Sequence, residues 1–197
     1  MDTTTTLIDV STIPAPETTT TQPSGTATTT VSLELGDELV FNGDFSDGTG
    51  APSGWELVSG DSAQTVDQVS ESGGKHISFF SPLEEEIPWP EARSTVPFEV
   101  APHTDYRLSV EARSITQGRL FIALVFVDED GDEILLRGPG SPEVSQSEWD
   151  TFAATLESPA DAASAYLVMR LAVRPDLSDA DAFSVDVNSV SVKEVVG

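Results

Sequence analysis

The sequence predicts an all-β fold, a jelly-roll β-sandwich of roughly ten antiparallel strands preceded by an extended N-terminal arm. The first observation is the hydrophobic pattern, which alternates with a period of two from residue 31 onward and nowhere adopts a long helical period. The second is the interruption of this pattern by clusters of Gly, Pro, Asp and Ser, residues that reverse a chain at low cost. The third is the length of 197 residues, which accommodates one sizeable domain with an appendage.

Each predicted strand is a short alternating run between two turn signals. The predicted strands are residues 31–35, 39–45, 55–59, 65–69, 76–80, 95–100, 106–113, 120–127, 133–136, 149–156, 166–173 and 183–195. Residues 120–127 form a nearly continuous apolar run, which is typical of a strand buried on both faces. Gly36 with Asp37 predicts an early turn, and the Asp-Gly pair within residues 128–132 predicts a hairpin.

The segment around which these strands are organised reads LVFNGDFSDGTGAPSGW and covers residues 39–55. It predicts a strand, then a polar loop at 46–54, then Trp55 as an anchor. The pattern N-G-D-F-x-D-G followed by G-W resembles the opening of the jelly-roll carbohydrate-binding modules of xylanases and glucanases. These modules belong to the galactose-binding-like sandwiches, and related openings recur in viral tail and surface proteins. The segment FSVDVNSVSVKEV at 183–195 resembles the closing strand of that family, so the resemblance covers residues 38–196.

The charge balance excludes two classes of partner. The chain has 34 acidic and 9 basic residues and a formal net charge of −25. Such a charge repels phosphate backbones and anionic lipid surfaces, so we expect neither nucleic-acid binding nor membrane insertion. An acidic sequence with two lysines, Lys75 and Lys193, and no cysteine resembles the proteins of salt-loving archaea or their viruses. An acidic protein of a mesophile is the alternative.

The N-terminal arm, residues 1–30, contains thirteen threonines and no cation. Its composition is that of a disordered linker, except for a short apolar patch formed by Leu7, Ile8, Val10 and Ile13. We expect this patch to add as a strand to other virion or assembly subunits, within a homo-oligomer. The arm has no signal-peptide pattern, and no apolar run in the chain approaches the ~20 residues that span a bilayer. We therefore expect a location on a virion surface, with a cell surface as the alternative.

Enzymatic activity is not expected. His76 and His103 are the two histidines, and neither is accompanied by a G-x-S-x-G motif. The acidic residues 128–132 do not form an EF-hand loop, because the twelfth position is Pro139 rather than glutamate. Residues 84–86, three consecutive glutamates, are typical of solvated surface.

The family resemblance implies one structural calcium ion between the first strand and the last. The matching positions are Asp44, Glu71 or the Lys75 carbonyl, and Asp186. Calcium takes six to eight hard oxygen ligands, several of them carbonyls. In the alternative interpretation, Asp44 holds the following loop through hydrogen bonds to its backbone.

Sugar binding requires a planar apolar ring and a few fixed polar groups. Trp89 lies between Pro88 and Pro90, with Arg93 nearby, and is the primary candidate for stacking on a sugar. It could equally cover one end of the sandwich or contact another subunit. The secondary candidates are Phe80 and Tyr106, whereas Trp55 and Trp149 match positions that pack the core in such modules.

The sequence predicts a non-enzymatic structural protein on the surface of a virus of halophilic archaea, such as a capsid decoration, turret, spike or tail component. Its jelly roll would face outward and take part in host attachment. The alternative is a glycan-binding module of a haloarchaeal cell-surface or secreted system. A fold alone does not decide between them.

Overall fold

The computed structural model describes residues 33–60, 64–71, 74–82, 90–114, 119–140, 148–172 and 182–196. The predicted arm at residues 1–30, with its patch at residues 7–13, and Trp89 lie outside these ranges. Within them the chain forms twelve strands and no helix, and so no helix that could cross a membrane. The strands are β1 (Glu34–Glu38), β2 (Trp55–Val58), β3 (Thr65–Glu71), β4 (Gly74–Pro82), β5 (Glu91–Ser94), β6 (Phe98–Glu99), β7 (Asp105–Ser114), β8 (Arg119–Val127), β9 (Glu133–Gly140), β10 (Asp150–Glu157), β11 (Ser164–Ala172) and β12 (Ala182–Val196).

The strands form two sheets. The first sheet has the order β10-β7-β12-β4-β3, with β1 paired to β12, and the second has the order β2-β5-β11-β8-β9, with β6 paired to β11. Every pairing in the described ranges is antiparallel. The predicted all-β jelly-roll sandwich is therefore confirmed.

The core lies between the sheets and is filled by alternate residues of the strands. In β7, Leu108 and Val110 point inward and are 1% exposed. In β12, Val185 and Val187 point inward, and a bulge after Val187 restores the same orientation for later residues such as Val190. The run at 120–127 is buried at nearly every position, as expected for a strand covered on both faces.

The organising segment is a corner made of turns, and the prediction of a strand at residues 39–45 was wrong. Asn42 and Phe45 have φ angles of 51° and 55°, whereas the residues of a β-strand have negative φ angles. The Asn42 side chain replaces ladder hydrogen bonds by donating to the carbonyls of Asp47 and Ser53 and accepting from the Asp47 N–H. This corner places Phe45 in the core, where its ring meets Trp55 edge to face at 5.1 Å.

The corner and the closing strand are in direct contact. The N–H of Val190 in β12 donates to the Gly43 carbonyl at 2.8 Å. A Cβ atom on Gly43 would lie 2.2 Å from the Val190 carbonyl oxygen, so no other residue fits at this position without a backbone shift. The glycine of the N-G-D-F motif is thus needed because two backbones approach each other there.

Two further boundaries differ from prediction. Gly36 and Asp37 lie inside β1 rather than in a turn, and Glu38 joins β1 to β12 by accepting from the Val192 N–H at 2.9 Å. The predicted strand at 95–100 is replaced by β5 and β6. Residues 95 and 96 form a bend between them, because the Thr95 N–H donates to the Gly54 carbonyl of the corner.

Candidate ligand-binding faces of the sandwich

The outer surface of the second sheet, called here the second-sheet face, is built around Glu91. Glu91 and Arg93 lie two residues apart in β5, so their side chains share one face of the sheet, the face that points away from the core. In the register of the two strands, Glu91 lies opposite Arg170 of β11. Glu91 Oε1 accepts from Nε and Nη2 of Arg93 at 3.1 and 2.9 Å, and Oε2 accepts from Nε of Arg170. The Glu91 side chain is 11% exposed, whereas those of Arg93 and Arg170 are 41% and 40% exposed. A nearly buried carboxylate therefore fixes two accessible guanidinium groups.

Tyr166 supplies an aromatic ring on the same face. The guanidinium carbon of Arg93 lies 5.6 Å from the centre of this ring, and the hydroxyl donates to Glu133. Burial, followed by the hydrogen bond and the charge of Glu133, raises the pKa of Tyr166 to about 12. The phenol is thus neutral at physiological pH.

The apolar residues on this side of the second sheet are closed to solvent. Ala123, Val125 and Val168 alternate with the core residues of β8 and β11 and therefore point outward. They are 0–3% exposed. The accessible part of the face therefore consists of one aromatic ring and two anchored cations, groups from which sugar sites are made.

The outer surface of the first sheet, called here the first-sheet face, carries a more deeply buried ion pair. Asp186 of β12 lies directly opposite Arg113 of β7, and Asp186 Oδ2 accepts from Arg113 Nε at 2.9 Å. Arg113 Nη2 also contacts Glu71 of β3 at 3.3 Å, and His76 Nε2 of β4 lies 3.7 Å from Asp186 Oδ2. The Trp149 ring, just before β10, covers the guanidinium at 4.5 Å.

This pair is closed to solvent. The side chains of Asp186 and Arg113 are 1% and 20% exposed, and Asp186 Oδ1 is buried and has no hydrogen-bond partner among the described residues. Burial opposes the charge of Arg113, but the hydrogen bond to Asp186 and the charges of Asp186 and Glu71 raise its pKa above the ordinary value. Arg113 therefore stays charged, and its contacts tie β3 to the centre of the sheet.

The structure separates the residues predicted to bind a sugar. Arg93 lies on the second-sheet face, Phe80 is 40% exposed on the first-sheet face, and Trp89 is outside the described residues. Tyr106 is a core residue, 2% exposed, whose hydroxyl accepts from the Ala101 N–H, and it cannot touch a ligand on either face. Trp55 packs in the core as predicted.

Trp149 differs from its predicted position, because its ring packs on Arg113 and His76 at the first-sheet face. The residues that sequence reasoning missed are Glu91, Tyr166 and Arg170. The alternation of Tyr166 and Arg170 with apolar neighbours in one run was the available signal.

The residues predicted to bind calcium make other contacts. Asp44 Oδ1 accepts from the N–H and hydroxyl of Ser46, as in the alternative interpretation, and Lys75 Nζ donates to the Gly48 carbonyl at 2.5 Å. Glu71 and Asp186 both contact the guanidinium of Arg113. Among the described residues no group of three or more His, Asp or Glu side chains could hold a metal. Calcium binding stays a prediction.

No protein-family model matches the sequence, and no curated protein is significantly similar to it. Solved structures are similar in fold. The enzymatically active domain of bacteriophage CBA120 tailspike protein 4 matches with a TM-score of 0.60 at 15% identity, over 80% of this chain and 21% of that chain. The CBM22-1 xylan-binding domain of Paenibacillus barcinonensis Xyn10C matches with a TM-score of 0.53 at 14% identity, over 84% and 97%. A CBM4 structure matches with a TM-score of 0.54 at 16% identity, over 78% and 98%.

The chain has the jelly-roll fold of carbohydrate-binding modules, as its corner and closing strand suggested. The same fold also occurs in a phage tailspike chain, of which this chain spans about a fifth. The similarity shows the fold alone.

Proposed function

We propose that the chain is a non-enzymatic, glycan-binding jelly roll that presents its second-sheet face to glycans of a host envelope. The observation that carries this proposal is the pair of accessible guanidinium groups fixed by Glu91 beside the neutral ring of Tyr166. A ring stacks on the C–H face of a sugar, while fixed donors bind its hydroxyls. Because Glu91 already holds Arg93 and Arg170, little side-chain entropy is lost on binding.

The proposed role is that of a virion surface component of a halophilic archaeal virus, such as a capsid decoration, turret, spike or tail part. The fold similarity to a phage tailspike domain supports this role, and the acidic composition supports the saline setting. In this proposal Leu7, Ile8, Val10 and Ile13 join the domain to other subunits of a homo-oligomer. Trp89 stays the predicted sugar-stacking residue of this proposal.

A second candidate is a glycan-binding module of a cell-surface or secreted system. It is favoured by the near-complete coverage, 97%, of the CBM22-1 chain. Mass spectrometry of density-purified particles from cells carrying the gene separates the two candidates. The virion role predicts that the chain is present in particles and that deletion of residues 1–30 removes it while glycan binding persists. Its absence from particles favours the cell surface.

Glycan binding is tested by titrating glycans and host-envelope polysaccharides in molar potassium chloride. Tyr166→Ala and Arg170→Gln should each weaken binding by about tenfold or more, the equivalent of one lost stacking or charged hydrogen-bonding contact. The matched control is Arg107→Gln, which removes a half-buried arginine from the first-sheet face. Equal losses in all three variants, or none in Tyr166→Ala, would refute the assignment of this face.

A further inference from the structure

The two arginines of the second-sheet face use different numbers of their N–H groups for hydrogen bonds to Glu91. Arg93 uses both Nε and Nη2 for Glu91, and Glu56 lies opposite it in β2. Arg170 uses only Nε for Glu91. A guanidinium carries five N–H groups, and within the part of the chain that the structure describes no acceptor is bonded to either Nη atom of Arg170.

Arg170 has fewer carboxylate partners than Arg93 among the described residues, because Glu56 lies opposite Arg93 in addition to Glu91. Each oxygen of the Glu91 carboxylate accepts hydrogen bonds from one of the two guanidinium groups. Glu133 is engaged by the hydroxyl of Tyr166, four residues before Arg170 in β11. Of the two cations beside Glu91, Arg170 is therefore the one with more N–H donors left for a further anion, in a chain whose net charge is −25.

A terminal guanidinium edge matches a carboxylate. Its two parallel N–H groups meet the two oxygens of a carboxylate in a bidentate pair, which a sugar hydroxyl cannot form. The negative net charge does not prevent this contact in strong salt. The Debye length falls to about 3 Å in molar salt, so long-range repulsion is screened while a direct hydrogen-bonded pair persists.

From this we infer that the second-sheet face selects glycans that carry carboxylates, that is, chains containing hexuronic acids. The inference rests on the proposed glycan-binding function and names its ligand class. A sugar ring packs on Tyr166, and a carboxylate further along the glycan pairs with the Nη atoms of Arg170. These residues are four positions apart on one strand, a separation of about 13 Å. The site therefore fits an oligosaccharide rather than a single sugar.

The test compares uronate chains with their own neutral forms. Oligosaccharides of polygalacturonate, polymannuronate and polyglucuronate, and the carboxyl-reduced counterpart of each, are titrated calorimetrically into the full chain in molar potassium chloride. We expect at least one uronate to bind about tenfold or more tighter than its reduced form, as one charge-assisted pair would give. Arg170→Gln should remove this preference, and Arg170→Lys, which keeps the charge but loses the planar edge, should restore only part of it.

The outcomes separate this inference from the proposed function. Equal binding of charged and reduced glycans, lost in Tyr166→Ala, overturns acid selection and leaves the glycan-binding face intact. A preference that survives in Arg170→Gln also overturns the inference, because the carboxylate would then bind elsewhere. Absence of binding to these oligosaccharides and to a broad neutral glycan panel overturns both. Arg107→Gln serves as the control and should keep the wild-type preference.

Discussion

The two outer faces of the sandwich use the same ion-pair chemistry in opposite proportions. On the first-sheet face two carboxylates, Asp186 and Glu71, share the one guanidinium of Arg113. On the second-sheet face two guanidinium groups share the one carboxylate of Glu91. On the first-sheet face the guanidinium is bound by carboxylates of the protein itself. On the second-sheet face N–H groups of the guanidinium groups are left to donate to a ligand. The same residue types can therefore stabilise a sheet or form a binding surface, depending on which partner is in excess.

The aromatic residues reinforce this difference. Trp149 covers the Arg113 guanidinium at 4.5 Å and helps to close the first-sheet face. The Tyr166 ring lies 5.6 Å from the guanidinium carbon of Arg93, its hydroxyl donates to Glu133, and the Arg93 side chain remains 41% exposed. Mutations on the first-sheet face should therefore change mainly the free energy of unfolding, and mutations on the second-sheet face should change mainly the affinity for a ligand.

The largest expected effect is that of Asp186→Ala. Removal of this buried carboxylate leaves Arg113 with only Glu71, which is 51% exposed, and should lower the free energy of unfolding by about 3 kcal/mol. Denaturant unfolding in molar potassium chloride measures this loss. Glu71→Ala is the control and should cost less than about 1 kcal/mol. Similar costs for both variants would contradict the view that the buried pair stabilises the sheet.

A smaller effect is expected at alkaline pH. The chain has two tyrosines, and the pKa of both is raised, that of Tyr106 by burial and that of Tyr166 to about 12. Because the folded state keeps the phenolic proton longer than the unfolded state, the stability that Tyr166 contributes is present below about pH 10. It is lost as the pH rises toward about 12.

Absorbance of the phenolate and thermal melts between about pH 9 and pH 12 measure this titration. Tyr166→Phe should flatten the decline in melting temperature, and its remaining absorbance change then reports Tyr106 alone. Ionisation of both tyrosines at about pH 10 would show that the hydroxyl of Tyr166 does not have the partner described here.

The smallest expected effect concerns salt. The chain should be less stable below about molar salt, because repulsion among its acidic groups is then unscreened. Asp67→Asn, in an exposed position of β3 opposite Ser78, should raise low-salt stability by a few tenths of a kcal/mol. Glu56→Gln should give no such gain, because Glu56 lies opposite Arg93. Melts that do not change with potassium chloride would refute the halophile prediction.

The sequence predicted the strands better than the corner. A period of two located most strands, because half-buried strands impose it, and residues 120–127 were correctly expected to be buried on both faces. The corner at 39–45 has an apolar pattern that resembles a strand. Its turns depend on the side-chain hydrogen bonds of Asn42 and on two positive φ angles, which no periodicity reveals.

The candidate site was only partly predictable. Arg93 was identified from its position after Trp89, but Glu91 and Arg170 meet only because β5 pairs with β11, a contact between distant parts of the sequence. Tyr106 was misplaced for a related reason. Alternation shows that neighbouring residues point to opposite faces, but only the register between strands shows which face is the core.

The position of β12 has a consequence for biosynthesis. This strand, residues 182–196, pairs with β1, β4 and β7 and so lies at the centre of the first sheet. During translation those strands emerge from the ribosome well before their common partner, with their hydrogen-bonding edges unpaired. The nascent chain must therefore remain unassembled, or be held by a chaperone, until its closing segment has been synthesised.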